Sequence, residues 1–277
     1  MTDIQMSRRQ LLGTAAVAFT CTVVPINLAS AQQGDPLAVQ IAASHRSAGN
    51  VARDKFRKPY EILKFFGVNE NSRAVEILPG SGGYFTEILA PYLRDKGLYI
   101  TAGRHDTAPQ NYQDDHKRML DKYAANPAVF GKIQVTKFFK NEHEIAPPGS
   151  MDFVLTFRNL HNWIERNEIE GVLKAFHTAL KPGGIFGVTD HRGRLDMPQE
   201  AQMKNGYVRQ DFAIAMIEKA GFQFIGSSEV KANPKDTKDY PEGVWSLPPT
   251  YRQKDVDRAK YQAIGESDRM VLKFVKR

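Results

Sequence analysis

Three short stretches concentrate the side chains able to do chemistry. In Val75–Tyr84 an apolar run carrying one carboxylate, Glu76, enters the turn Pro79-Gly80-Ser81-Gly82-Gly83-Tyr84. Glycines there let backbone N–H groups approach a ligand where a Cβ would collide with it. A helix-compatible stretch, Phe85–Ala90, follows at once. Buried strand, tight loop and helix is the arrangement that holds a nucleotide-like ligand at the carboxyl edge of a parallel sheet. Alone the loop is a weak signal, since many α/β proteins use glycine only to turn the chain. The second stretch, Arg158-Asn159-Leu160-His161-Asn162-Trp163, offers a guanidinium, two amides, an imidazole and an indole. Arg158 suits a carboxylate or phosphate, and His161 a proton near neutral pH. Helix capping by Asn159 or Asn162, with Trp163 in the core, is the plainer alternative. The third, Asp190-His191-Arg192, sets a second imidazole beside a carboxylate. Acid–base work by His161, His191 and Asp190 is the expectation, with metal ligation by the same three as the alternative.

These stretches need a scaffold that brings strand ends together. Strand candidates recur at Ala74–Leu78, Leu98–Ala102, Ile133–Phe138, Phe153–Phe157 and Ile185–Thr189, with helix candidates Phe85–Lys96, Tyr112–Asn126 and Glu168–Leu180 between them. Such alternation predicts βαβ units, a mainly parallel sheet and helices on both faces. Upstream, Val51–Phe66 has helical spacing, and Pro59 predicts a kink or two shorter helices. Arg53, Lys55, Arg57 and Lys58 read there as a polar helix face. Downstream come a helix at Asp211–Ala220, a strand at Phe222–Val230 and a last strand at Arg269–Val275. The irregular insert between those strands, about 231–263, contains Trp245, Pro248 and Pro249; long loops of that kind are often lids.

The amino terminus reads as a targeting segment. Arg8-Arg9 precedes a modest apolar run ending in Ala29-Ser30-Ala31, a twin-arginine export pattern with cleavage near Ala31. Export machinery is thus an expected partner and a periplasmic or secreted location the expectation. The apolar run is too short and polar to span a bilayer comfortably, so no membrane span is expected once the segment is removed. Residues 32–72 read as an arm with helices, loosely held up to Asn50, and 73–277 as the main domain. The one cysteine, Cys21, lies in the targeting segment, which excludes thiol chemistry from the rest. A formal net charge of +7 comes from interspersed charges of both signs, and points to no nucleic-acid footprint.

With these motifs in order, the chain resembles the class I S-adenosylmethionine-dependent methyltransferases, and in detail their exported bacterial "predicted methyltransferase" group. The resemblance is carried by Glu76–Gly83, Asp152–Trp163, the turn Leu180-Lys181-Pro182-Gly183-Gly184 and the late helix–strand–insert–strand tail. It implies a Rossmann-like α/β fold of seven strands with an antiparallel last strand, and S-adenosyl-L-methionine as cofactor. By the same resemblance Gly80, Gly82 and Gly83, with Pro79, Ser81 and Tyr84 of their loop, would line the methionine half of that cofactor. Glu76 would orient the loop, Asp106 would hold the ribose hydroxyls, and Arg158 and Asn159 would border the ligand. The acceptor would be a small molecule or envelope component. A methyltransferase-like binding protein without turnover, or a metal-assisted enzyme using the same crevice, are the alternatives. All of them require a hollow beside the glycine loop with room for an adenosyl-type guest.

Overall fold

The computed structural model describes residues 34–103, 108–140 and 142–277. The expected targeting segment, Arg104, His105 and Asp106 lie outside the described residues. Eight strands form one sheet: β1 (Arg73–Ile77), β2 (Leu98–Gly103), β3 (Gln134–Phe139), β4 (Glu142–Glu144), β5 (Met151–Phe157), β6 (Leu180–His191), β7 (Phe222–Ser228) and β8 (Arg269–Lys276), in the order β4-β3-β2-β1-β5-β6-β8-β7. β1 pairs parallel with β2 and β5, and the parallel set extends to β3 and β6. β8 is antiparallel to both β6 and β7. The sequence leads one to expect seven strands; the eighth is the three-residue β4, antiparallel to β3 at the sheet edge. Glu142-His143-Glu144 carries no apolar alternation to announce it.

Successive strand residues feed opposite cores, as the period of two requires. Val75 and Ile77 of β1 and Val154 of β5 join Trp163, Leu173 and Phe176 from the helices Leu160–Glu165 and Ile169–Ala179. Ala74 and Leu155 face the other way, onto Phe66, Ile88 and Leu89 of the helices Pro59–Phe66 and Thr86–Leu93. Burial on both faces explains why these strands read as largely apolar runs. The LKPGG turn sits inside a long β6, where pairing shifts from Met151↔Leu180 to Phe153↔Ile185 and Gly183 takes φ +75°.

Of two segments before β1, one breaks as Pro59 leads one to expect and the other departs from expectation. The helical pattern Val51–Phe66 breaks into Ala48–Val51, Asp54–Arg57 and Pro59–Phe66. Lys58, forced out of αR by the following proline, stands at φ +48°. The stretch before it is docked rather than loose. Leu37 is fully buried against the second core, and the Arg46 guanidinium grips Asp54 at 2.7 and 2.8 Å. Among the described residues no helix is long and apolar enough to cross a membrane.

Candidate functional site

The glycine loop leaves the carboxyl end of β1 through Leu78, a non-glycine residue at φ +50° whose N–H donates to Ala102 O at 3.0 Å. Gly80 and Gly83 follow at φ +69° and +54°, conformations that glycine adopts without a Cβ penalty. The protein itself ties this loop down. Ser81 Oγ donates to Asp115 Oδ1 at 2.6 Å, and Gly82 O accepts from Asn50 Nδ2 at 2.9 Å and Lys122 Nζ at 2.8 Å. Space beside the Gly82 Cα stays open.

Beneath the loop Glu76 is buried, accepting hydrogen bonds from Thr86 Oγ1 at 3.1 Å and from the Tyr99 hydroxyl. Burial pushes its carboxyl up to about 7, against the pull of those two bonds and of Arg57. A raised folded-state value means stability that is complete below the ordinary 4.5 and is lost as pH rises through 7. We therefore expect the wild type to lose about 3 kcal/mol relative to Glu76→Gln between pH 4.5 and 7.5. Paired urea titrations across that range check this, and parallel curves would refute it.

At the next strand ends two imidazoles share one carboxylate. Asp190 Oδ1 lies 2.8 Å from His161 Nδ1, while Asp190 also accepts from the backbone N–H groups of His161 (3.1 Å) and His191 (2.7 Å). Burial works to raise the Asp190 carboxyl, but His161 and those N–H groups outweigh it and hold it below its usual value. An ionised Asp190 requires the proton on His161 Nδ1. That leaves Nε2 to the cavity that His161 lines.

His191 is fixed differently. Arg158 Nε can only donate, at 3.3 Å, to His191 Nε2. His191 Nδ1 therefore carries the hydrogen, toward Ser267 Oγ at 2.5 Å. Burial and the adjacent Arg158 charge push the imidazole well below its usual range, so it stays neutral. The expectation that His191 offers a free base thus meets a ring with both nitrogens taken. Ligand atoms of His161, Asp190 and His191 do lie within 4.8 Å of one another. A cation between them would stand against the Arg158 guanidinium, an arrangement opposed by like charge.

The cavity beside the loop has a volume of about 270 Å³ and is walled by Arg57, Glu76, Phe157, Arg158, His161 and Trp245, among others. Phe157 stacks on Phe85 with centroids 3.7 Å apart. Trp245, from the insert, presents its ring edge-on to His161 at 6.2 Å. This space falls just below the roughly 300–1,000 Å³ of typical small-molecule sites. On the β2 side of the loop only about 30 Å³ remains, between Gly80, Gly103, His116 and Met119. A group as large as adenosine would need His116 and Met119 of the helix Gln110–Ala125 to shift; methionine is the more compliant.

Glu76, Pro79, Tyr84, Arg158, Asn159 and His161 meet at one cavity, and Asp190 and His191 sit directly behind it. Gly80 opens onto the smaller space. Ser81 and Gly82 bond to Asp115, Asn50 and Lys122, and Gly83 packs beside Thr86. Asn159 also ties the ends of β1 and β5 together, donating to Ile77 O at 3.0 Å and Thr156 Oγ1 at 3.1 Å. Tyr84 donates to Asp54 Oδ1 at 2.5 Å. Asp152, at the opposite end of β5, accepts from Arg73 N at 2.8 Å, and Trp163 is core. Arg57 is the main omission. Read as a polar face, it is 7% exposed and lines the cavity. No local pattern distinguishes it from Arg53 or Lys55, which stand in the same basic run.

No protein-family model and no curated protein matches the sequence. Solved structures do. A SAM (S-adenosylmethionine)-dependent methyltransferase of Aquifex aeolicus aligns over 82% of this chain and 93% of its own, at 16% identity and a TM-score of 0.55. The [4+2]-cyclase SpnF aligns over 85% of both chains, also at 16% identity and 0.55. A SAM-dependent methyltransferase of Methanosarcina mazei covers 78% of this chain and 97% of its own, at 13% identity and 0.50. Identities this low speak for architecture alone: the chain has the Rossmann-like fold shared by SAM-dependent methyltransferases, a fold that also carries a cyclase.

Proposed function

We propose that the protein is a SAM-dependent methyltransferase of the exported bacterial "predicted methyltransferase" group, acting outside the cytoplasm on a small molecule or envelope component. One observation carries the reading: an imidazole oriented by a buried carboxylate opens onto a cavity beside a glycine loop at the carboxyl edge of a parallel sheet. The cradle suits a donor on the β5 side, where the cavity opens between Leu78, Pro79 and Phe157. S-adenosylmethionine, when bound, would supply an electrophilic methyl group whose bond to the sulfonium breaks on transfer, leaving a neutral thioether. The protein's task is then mainly to hold the acceptor in line, since proximity and orientation supply much of the barrier reduction. His161 Nε2 takes the proton that a hydroxyl or amine acceptor loses as its bond to the methyl carbon forms. Asp190 holds the tautomer and steadies the imidazolium. Arg158 and Asn159 border the acceptor, and Trp245 closes the cavity on the insert side.

Calorimetric titration with S-adenosylhomocysteine tests the reading. We expect saturable binding to the wild type and at least a tenfold loss in Gly82→Trp, whose indole would fill the open space beside the loop. Absence of binding to the wild type would overturn the assignment. A second reading, metal-assisted chemistry at His161, Asp190 and His191, has their 4.8 Å proximity in its favour. A stoichiometric metal lost in His161→Ala would promote it.

A further inference from the structure

Five basic side chains gather around one carboxylate, Glu266, with Asp190 acting in addition on Arg158. Glu266 meets Arg53 Nε at 2.6 Å, Arg269 Nη2 at 2.5 Å and Arg57 Nε at 4.0 Å. Arg158 and Lys231 feel the same group electrostatically. Arg57, Lys231 and Arg269 are 7%, 6% and 1% exposed. The other nearby carboxylates are committed elsewhere: Asp190 to His161 and His191, Asp268 to Arg192 and Lys238. Buried donors are left over. Arg57 Nε, Arg53 Nη2, and Arg269 Nε and Nη1 have no hydrogen-bond partner.

Buried charge of one sign is costly unless an opposite charge meets it. The surplus is also aimed. Arg57 and Arg158 both line the 270 Å³ cavity beside His161. Arg57 lies over the Tyr84 ring at 4.5 Å, a contact that orients a guanidinium without neutralising it. Arg158 holds φ +67° at the exit of β5, a strained conformation of the kind that persists at functional sites. Burial and the Arg269 charge push its guanidinium down to about 10, the mark of a cation short of counter-charge. Phe85, Phe157 and Trp245 supply an aromatic wall beside it.

We infer that the acceptor is a small organic anion whose carboxylate or phosphate group is taken by Arg57 and Arg158, which places the rest of the molecule between the aromatic wall and His161. Paired guanidiniums suit both oxyanions through bidentate hydrogen bonds. Identifying this guest as the acceptor rests on the methyl-transfer reading; the anion site itself does not.

The test uses the full exported chain at constant ionic strength, with inorganic phosphate and benzoate as probes and chloride as the control. We expect at least one probe to bind saturably by calorimetry and to raise the unfolding midpoint beyond chloride; whichever binds more tightly names the group. Arg57→Gln and Arg158→Gln should each weaken that probe at least tenfold. Arg57→Gln should also raise the midpoint in anion-free buffer, because it removes an unanswered charge. A response no different from chloride would overturn the site. So would an Arg57→Gln variant with a lowered midpoint and unchanged probe affinity, which would make the arginine structural. S-adenosylhomocysteine separates the two readings. If it binds alongside the probe, the anion belongs to the acceptor. If it displaces the probe and itself weakens in Arg57→Gln, the guanidinium takes the donor's own carboxylate and the acceptor assignment falls. If it does not bind while the probe does, the anion site stands and methyl transfer fails.

Discussion

Exchange of Glu266 for glutamine should lower the unfolding free energy by about 3–5 kcal/mol, the usual result of removing one partner from a buried ionic group. Arg53 and Arg269 meet this carboxylate at 2.6 and 2.5 Å, and Arg57 approaches to 4.0 Å. A neutral amide of equal size keeps the shape and one acceptor oxygen while deleting the carboxylate charge that offsets them. Burial would raise the Glu266 carboxyl, yet Arg269 and Arg53 hold it far below its ordinary value. The stabilisation is therefore present above the unfolded value near 4.5 and lost as pH falls through the depressed folded one. Urea unfolding at pH 7 measures the loss. A change under about 1 kcal/mol would show that water, rather than Glu266, satisfies the guanidiniums.

Replacement of His161 by glutamine should reduce methyl transfer by about 10²–10⁴-fold, the range for removing a general base. Stability should move little, since the glutamine amide can still donate toward Asp190. The readout is transfer of labelled methyl from S-adenosylmethionine into an envelope extract, with S-adenosylhomocysteine affinity measured in parallel. Unchanged affinity with lost turnover identifies proton transfer. Equal loss of both would show that the imidazole shapes the pocket instead.

What could be read in the sequence follows the range of the interactions concerned. β1, β2, β5 and β6 announced themselves because strands covered on both faces are largely apolar, and the more exposed β3 by its place in the alternation of strands and helices. The break at Pro59 was legible because proline acts on its immediate neighbour. His161, Asp190 and Arg158 were found because each stands at or just past a strand's carboxyl end, a position sequence order can locate. Their division of labour was not legible. Whether His161 or His191 keeps a free nitrogen depends on Ser267, 76 residues further on. Arg57 was missed for the same reason: its burial is decided by Tyr84 and Glu266, which no spacing rule links to it. The docking of residues 34–57 likewise depends on distant partners, with Asn50 reaching Gly82 O and Ser47 N–H reaching Glu87.

The position of β8 has a consequence for how the molecule can be made. Residues 269–276 fill the slot between β6 and β7, and Arg269 at their start belongs to the charged wall. A chain shortened by those eight residues would lose more than a margin. It would bare two raw hydrogen-bonding borders, the kind that recruit neighbouring molecules into aggregates. During synthesis β6 and β7 must likewise wait for β8, which is made after both, so a chaperone or delay that shields β6 would matter more here than where neighbouring strands pair in the order they are made.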